Sequence, residues 1–96
     1  MLSKSVIIKA LELHLETAHF LKSLSRHNIY FKLWKERTRE TLVEAFGMES
    51  EIVKQFESIK YFGTPENRAS YLSGVDAAVQ LLQKSLIVVQ KDKRRL

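Results

Sequence analysis

The sequence predicts an all-α protein, a four-helix bundle formed by a single domain over residues 1–96. Three observations predict it. The chain has only three glycines and one proline, so long stretches carry no breaker. Apolar residues recur at steps of three and four, the period of helices that turn one face to a core. Thr64-Pro65-Glu66-Asn67 reads as a helix start: a capping hydroxyl, a proline at the first helical position, and an acid at the positive end of the dipole.

The first helix, one of two long ones, is predicted over about 3–25. Val6, Ala10, Leu13, Thr17, Phe20 and Leu24 form one apolar row. Ile7, Leu11, His14, Ala18 and Leu21 form a second row beside it. Together they make a broad core-facing surface. Ser3 or Ser5 suits its N-cap. Arg26-His27-Asn28 reads as the connection, with Asn28 as the next cap.

The second helix is of medium length, about 29–46. Tyr30, Leu33, Trp34, Leu42, Ala45 and Phe46 are expected on its inner side. Lys32, Lys35, Glu36, Arg39, Glu40 and Glu44 are expected outside. Gly47 follows, where a left-handed residue commonly ends a helix.

The third helix is short, about 50–61, with Ser50 as its cap and Glu49 and Glu51 favouring its first turn. Ile52, Val53, Phe56 and Ile59 form its apolar face, and Phe62-Gly63 ends it.

The last helix is long, about 65–90. Leu72, Val75, Val79, Leu82, Leu86 and Val89 keep a heptad seam, and Ala78, Leu81 and Val88 add apolar flanks. A helix apolar around so much of its girth lies at the centre of a bundle or is shared with another chain. The basic tail 91–96 is expected to fray.

Apolar residues make up 45% and charged residues 28%, the balance of a folded domain rather than a disordered one. Cysteine is absent, which removes disulfides and thiolate metal sites and leaves packing to hold the fold. Lys9, Glu12, His14 and Glu16 interrupt any signal-peptide core. Ala77–Val89 is broken by Gln80, Gln83 and Lys84 and falls short of the roughly 20 apolar residues of a membrane span. The expectation is a cytoplasmic protein with no membrane partner.

No catalytic constellation emerges. His14 and His19 are five residues apart and face different ways, so a helical metal site is not expected. Glu12 with Glu16, and Glu36 with Glu40 and Glu44, recur every four residues, the spacing of a solvated face pairing with nearby cations. No nucleophile elbow and no glycine-rich phosphate loop is present. The chain reads as a non-enzyme with no cofactor, no metal and no identifiable small-molecule substrate.

Two binding readings remain. The first is protein–protein assembly, with a homo-oligomer expected and a dimer favoured, through the end of the last helix: Leu81, Leu82, Leu86, Ile87, Val88 and Val89. The second is nucleic-acid binding. The net charge is +5, concentrated in Arg26, Lys32, Lys35, Arg37 and Arg39 and in the tail cations Lys93, Arg94 and Arg95. Tyr30, Phe31 and Trp34 interleave with the first group, as stacking residues do, although Tyr30 and Trp34 four apart also suit a core.

Trp34, Leu42, Phe46-Gly47, Ser50, Phe56 and Ile59, then Tyr71 and Leu81-Leu82, spell W-x7-L-x3-F-G-x2-S-x5-F-x2-I and its continuation. This pattern resembles a helical accessory region of prokaryotic mobile-element and defence proteins. That region often accompanies a nucleotide-binding domain resembling the Toll/interleukin receptor domain. The resemblance covers about Tyr30 to Val89 and implies an accessory role in sensing or assembly, with no catalytic residue.

Overall fold

The computed structural model describes residues 3–24, 29–61 and 68–91, and contains four helices. They are α1 (Lys4–Leu21), α2 (Ile29–Phe46), α3 (Glu51–Ser58) and α4 (Arg68–Lys91). The all-α bundle expected from the sequence is what forms. The predicted Asn28 cap and the Thr64–Pro65 helix start lie outside the described residues, as do Arg26, His27 and the tail cations Lys93, Arg94 and Arg95.

Local signals set the visible ends. The Ser3 hydroxyl accepts the Val6 N–H at 3.3 Å and caps α1. The Ser50 hydroxyl accepts the Val53 N–H at 3.2 Å and caps α3, whose first turn holds Glu51. At the end of α2, Gly47 has φ +92° and donates its N–H to the Val43 carbonyl at 2.8 Å. That is the left-handed stop, in the single-bond form, that the glycine suggests.

Neighbouring helices run antiparallel, in an up-down-up-down circuit. The Tyr71 hydroxyl, early in α4, donates to the Leu21 carbonyl at the end of α1 at 2.7 Å. Lys22 pairs with Asp76 just above. On the other side of α1, the Trp34 indole N–H donates to the His14 carbonyl at 3.0 Å. Arg39 pairs with Glu57 and joins α2 to α3. The molecule is elongated, 46 × 22 × 18 Å.

The core runs along the axis: Ile7, Leu11, Ala18 and Leu21 of α1 meet Leu42 and Ala45 of α2, Val53 of α3, and Val75, Ala78 and Leu82 of α4. An aromatic cluster closes one end. Phe31 meets Tyr61 and Tyr71 edge-on, at 4.9 and 5.3 Å between centroids, and Trp34 meets Phe56 edge-on at 6.0 Å. Gly74 lets α4 come this close, since a Cβ there would sit 2.7 Å from the Lys60 carbonyl oxygen and 2.5 Å from the Tyr61 ring.

α4 keeps its heptad seam inside the bundle: Val75, Val79, Leu82 and Val89 are buried, and Leu72 and Leu86 are half-buried. Over Ala69–Lys91 it is long and apolar enough by composition to cross a bilayer, with a mean hydropathy of 1.3 over 18 residues, of which 44% are buried here. The helix thus exceeds the Ala77–Val89 segment on which the sequence argument against a span rests. Within that stretch Val75, Val79, Leu82 and Val89 pack in the core of the bundle.

Candidate interaction surface

Eighteen residues of α1 carry two adjacent apolar rows, and the bundle buries only one. The row Ile7, Leu11, His14, Ala18 and Leu21 is buried. The other row stays at the surface, with Val6 46%, Leu13 58% and Phe20 55% exposed, and Ala10, Thr17 and Leu24 half-buried between them. Val6, Leu13 and Phe20 follow one another at seven-residue intervals, the spacing of one edge of a coiled-coil seam. Over fourteen residues the row is about 21 Å long.

α2 extends it. The sequence places Tyr30 and Leu33 inside with Trp34; the structure instead turns Phe31, Thr38 and Thr41 inward and leaves Tyr30 and Leu33 exposed. The reason is geometric. Tyr30, Leu33 and Trp34 span too wide an arc for all three to face the axis beside Leu42. Trp34, held by its bond to the His14 carbonyl, and Phe31, held by the aromatic cluster, fix the rotation. Tyr30 then meets Phe20 edge-on at 6.5 Å, which joins the two exposed sets. Lys22, two residues beyond Phe20, reaches Asp76 of α4, so the patch lies on the α2 side of α1 and away from α4.

Below the patch, His14 is 8% exposed and its Nε2 lies 2.8 Å from Thr41 Oγ1. The Thr41 hydroxyl donates its single proton to the Arg37 carbonyl at 3.1 Å. It therefore accepts from His14, which fixes the Nε2–H tautomer of a neutral ring. Burial lowers the His14 pKa below 6.5, and the nearby Arg37 guanidinium lowers it further. His14 thus joins α1 to α2 through Thr41, with Arg37 close by.

The assembly residues expected on α4 divide. Leu81, Leu82 and Val89 are buried within the bundle and Leu86 is half-buried, so those four are committed to the fold itself. This corrects the expected helix 4 interface. A seam that is clean in sequence serves the internal core because α4 has α1 on one side and α3 on the other. Ile87 and Val88 are exposed, but consecutive residues project about 100° apart. Ile87 continues the side of Asp76, three turns earlier, toward α1. Val88 continues the side of Ala77, which lines a shallow cleft with Gln55 and Ile59 of the α3 region. They do not form one patch.

The expected nucleic-acid residues are also dispersed. Lys32, Lys35 and Arg39 share one side of α2, while Arg37 faces the opposite side. Arg39 is engaged by Glu57, and the Lys35 ammonium lies over the Phe31 and Tyr61 rings, 5.5 and 5.2 Å from their centroids. Trp34 and Phe31 are buried and hold no face free for a base; Tyr30 does.

The α3–α4 cleft, about 280 Å³, is lined by Gln55, Ile59, Ala77, Gln80, Leu81 and Lys84. It pairs one cation with two amides and offers no carboxylate or imidazole for proton transfer. Among the described residues, no three histidine, aspartate or glutamate side chains converge.

Sequence reasoning recognised the Val6–Leu24 row as apolar and assigned it to the core. The signal that separates the two rows is their flanks. Lys9 and Glu16 border the Leu13 side and must stay in water, whereas the other row is bordered by Ile8 and Leu15, half-buried and packed on the core. Compared with known proteins, the chain matches no family model, no curated protein and no solved structure.

Proposed function

We propose that this protein is a non-enzymatic protein–protein interaction and assembly module that acts by self-association through the α1/α2 face. The observation that carries the reading is the exposed heptad row Val6, Leu13 and Phe20, continued by Tyr30 and Leu33. Soluble monomers rarely leave a contiguous apolar strip of this length in water unless something covers it. A setting in phage or mobile elements rests only on the resemblance of the Trp34–Ile59 pattern.

The expected strength follows from size. α1 is about 27 Å long and a face two helices wide is about 20 Å across, giving roughly 500 Å² per copy. Stable interfaces bury about 800 Å² per partner, so a micromolar complex is expected. Sedimentation velocity from about 1 to 500 µM tests it. A concentration-dependent shift in wild type that disappears in Leu13→Glu supports the reading. A strict monomer throughout contradicts it.

A second reading keeps one observation in its favour, the row of Lys32 and Lys35 on the outer side of α2 in a chain of net charge +5. Nucleic-acid binding through that row must weaken steeply with salt and must be reduced by Lys32→Glu combined with Lys35→Glu. Unchanged affinity in that double variant removes it.

A further inference from the structure

The α1 row is bordered on its solvent side by Lys9 and Glu16, one heptad apart, both exposed and neither in an ion pair among the described residues. On its other side the flanking positions Ile7, His14 and Leu21 are buried, with His14 bonded to Thr41 of α2 and the Arg37 guanidinium close by. On its solvent side a helix laid along the row is steered by the Lys9/Glu16 edge.

A second copy of α1 fits that edge in one direction. Laid antiparallel, with residue numbers summing to about 25 brought level, Lys9 of one copy faces Glu16 of the other, and the two-fold axis repeats the pair. Laid parallel, the Lys9/Glu16 edge of each copy faces the buried Ile7/His14/Leu21 edge of the other, and the Lys9–Glu16 pairs are not made. The antiparallel register also matches shapes. Each Leu13 comes within about one helical turn of the small Ala10 of the other copy, so a large residue meets a small one there.

We infer that the occupant of this face is a second copy of the chain, bound with its α1 antiparallel and in the register that pairs Lys9 with Glu16 across the two-fold axis. The inference rests on the self-association reading above and specifies its geometry.

The test uses the full chain. Lys9→Glu and Glu16→Lys each turn both pairs into repulsions, and each is expected to weaken the dimer about tenfold. The double variant Lys9→Glu/Glu16→Lys restores opposite pairs and is expected to return to within about twofold of wild type. Because Lys9 and Glu16 are exposed, helicity by circular dichroism stays unchanged in all three.

A spin label on Ser23→Cys reports direction. Ser23 is exposed just past α1 and the chain has no other cysteine. Antiparallel pairing sets the two labels about 30 Å or more apart along the axis, whereas parallel pairing brings them within about 15 Å. A dimer with short label distances, or one indifferent to the charge reversals, overturns this register and leaves self-association standing. A monomer at all concentrations overturns both.

Discussion

His14 donates its Nε2–H to Thr41 Oγ1 at 2.8 Å, and Thr41 in turn donates to the Arg37 carbonyl at 3.1 Å, so α1 and α2 are joined by a buried polar chain with a defined tautomer. The chain engages Nε2–H alone, and the second N–H of a charged imidazole would need an acceptor of its own.

Stability should therefore fall in mild acid. Burial, then Arg37, depresses the His14 pKa in the folded state, while the unfolded chain keeps the ordinary value of 6.5. Below pH 6.5 the unfolded state binds more protons than the folded one, so stability drops as pH falls from about 6.5 toward the lowered folded value. Urea midpoints measured between pH 7.5 and 5 should decline in wild type and decline less in His14→Gln. Equal slopes in the two proteins rule out His14 as the cause.

Thr38 is fully buried in α2, and its hydroxyl has no hydrogen-bond partner among the described residues. Thr38→Val replaces the hydroxyl with a methyl group of similar size and removes an unsatisfied polar group. It should stabilise the protein by about 1 kcal/mol, read as a higher urea midpoint at unchanged slope.

Gly74 and Gly47 should respond differently to alanine. At Gly74, helix propensity favours alanine by about 1 kcal/mol, but the new Cβ collides with the Lys60 carbonyl and the Tyr61 ring. The clash wins, with a net loss of about 1–3 kcal/mol and loss of the near-ultraviolet signal of the aromatic cluster. At Gly47 nothing lies within 4 Å of the added Cβ, and only the positive φ penalises it, by about 1 kcal/mol. If Gly74→Ala stabilises the fold, the close approach of α4 to Lys60 and Tyr61 is wrong.

Leu13 and Leu82 separate surface from core. Leu82 is fully buried, and Leu82→Ala should cost about 2–5 kcal/mol of stability. Leu13 is more than half exposed, and Leu13→Glu should leave the unfolding free energy within about 0.5 kcal/mol of wild type at low concentration. Chemical denaturation at 1 µM checks both.

α1, the end of α2 and α3 were legible because they are announced locally. Ser3, Ser50 and Gly47 cap or stop them as their chemistry suggests. The rotation of each helix was not legible. α1 offers two apolar rows of nearly equal quality, and α2 offers Tyr30 and Leu33 against Phe31 and Thr38. Which set turns inward is decided by contacts distant in sequence: Trp34 on the His14 carbonyl, and Phe31 on Tyr61 and Tyr71. The same limit hid the candidate surface. The seam of α4 looked like surplus until α1 and α3 were seen to cover it, and the surplus lies on α1 instead.

Backbone amide shifts followed on dilution test that relocation most directly. In nitrogen-15 spectra between about 500 and 10 µM, amides of Val6–Phe20 and Tyr30–Leu33 should move with concentration while those of Leu86–Val89 stay fixed. Concentration-dependent shifts at Ile87 and Val88 with α1 silent, or no shifts anywhere, would contradict it.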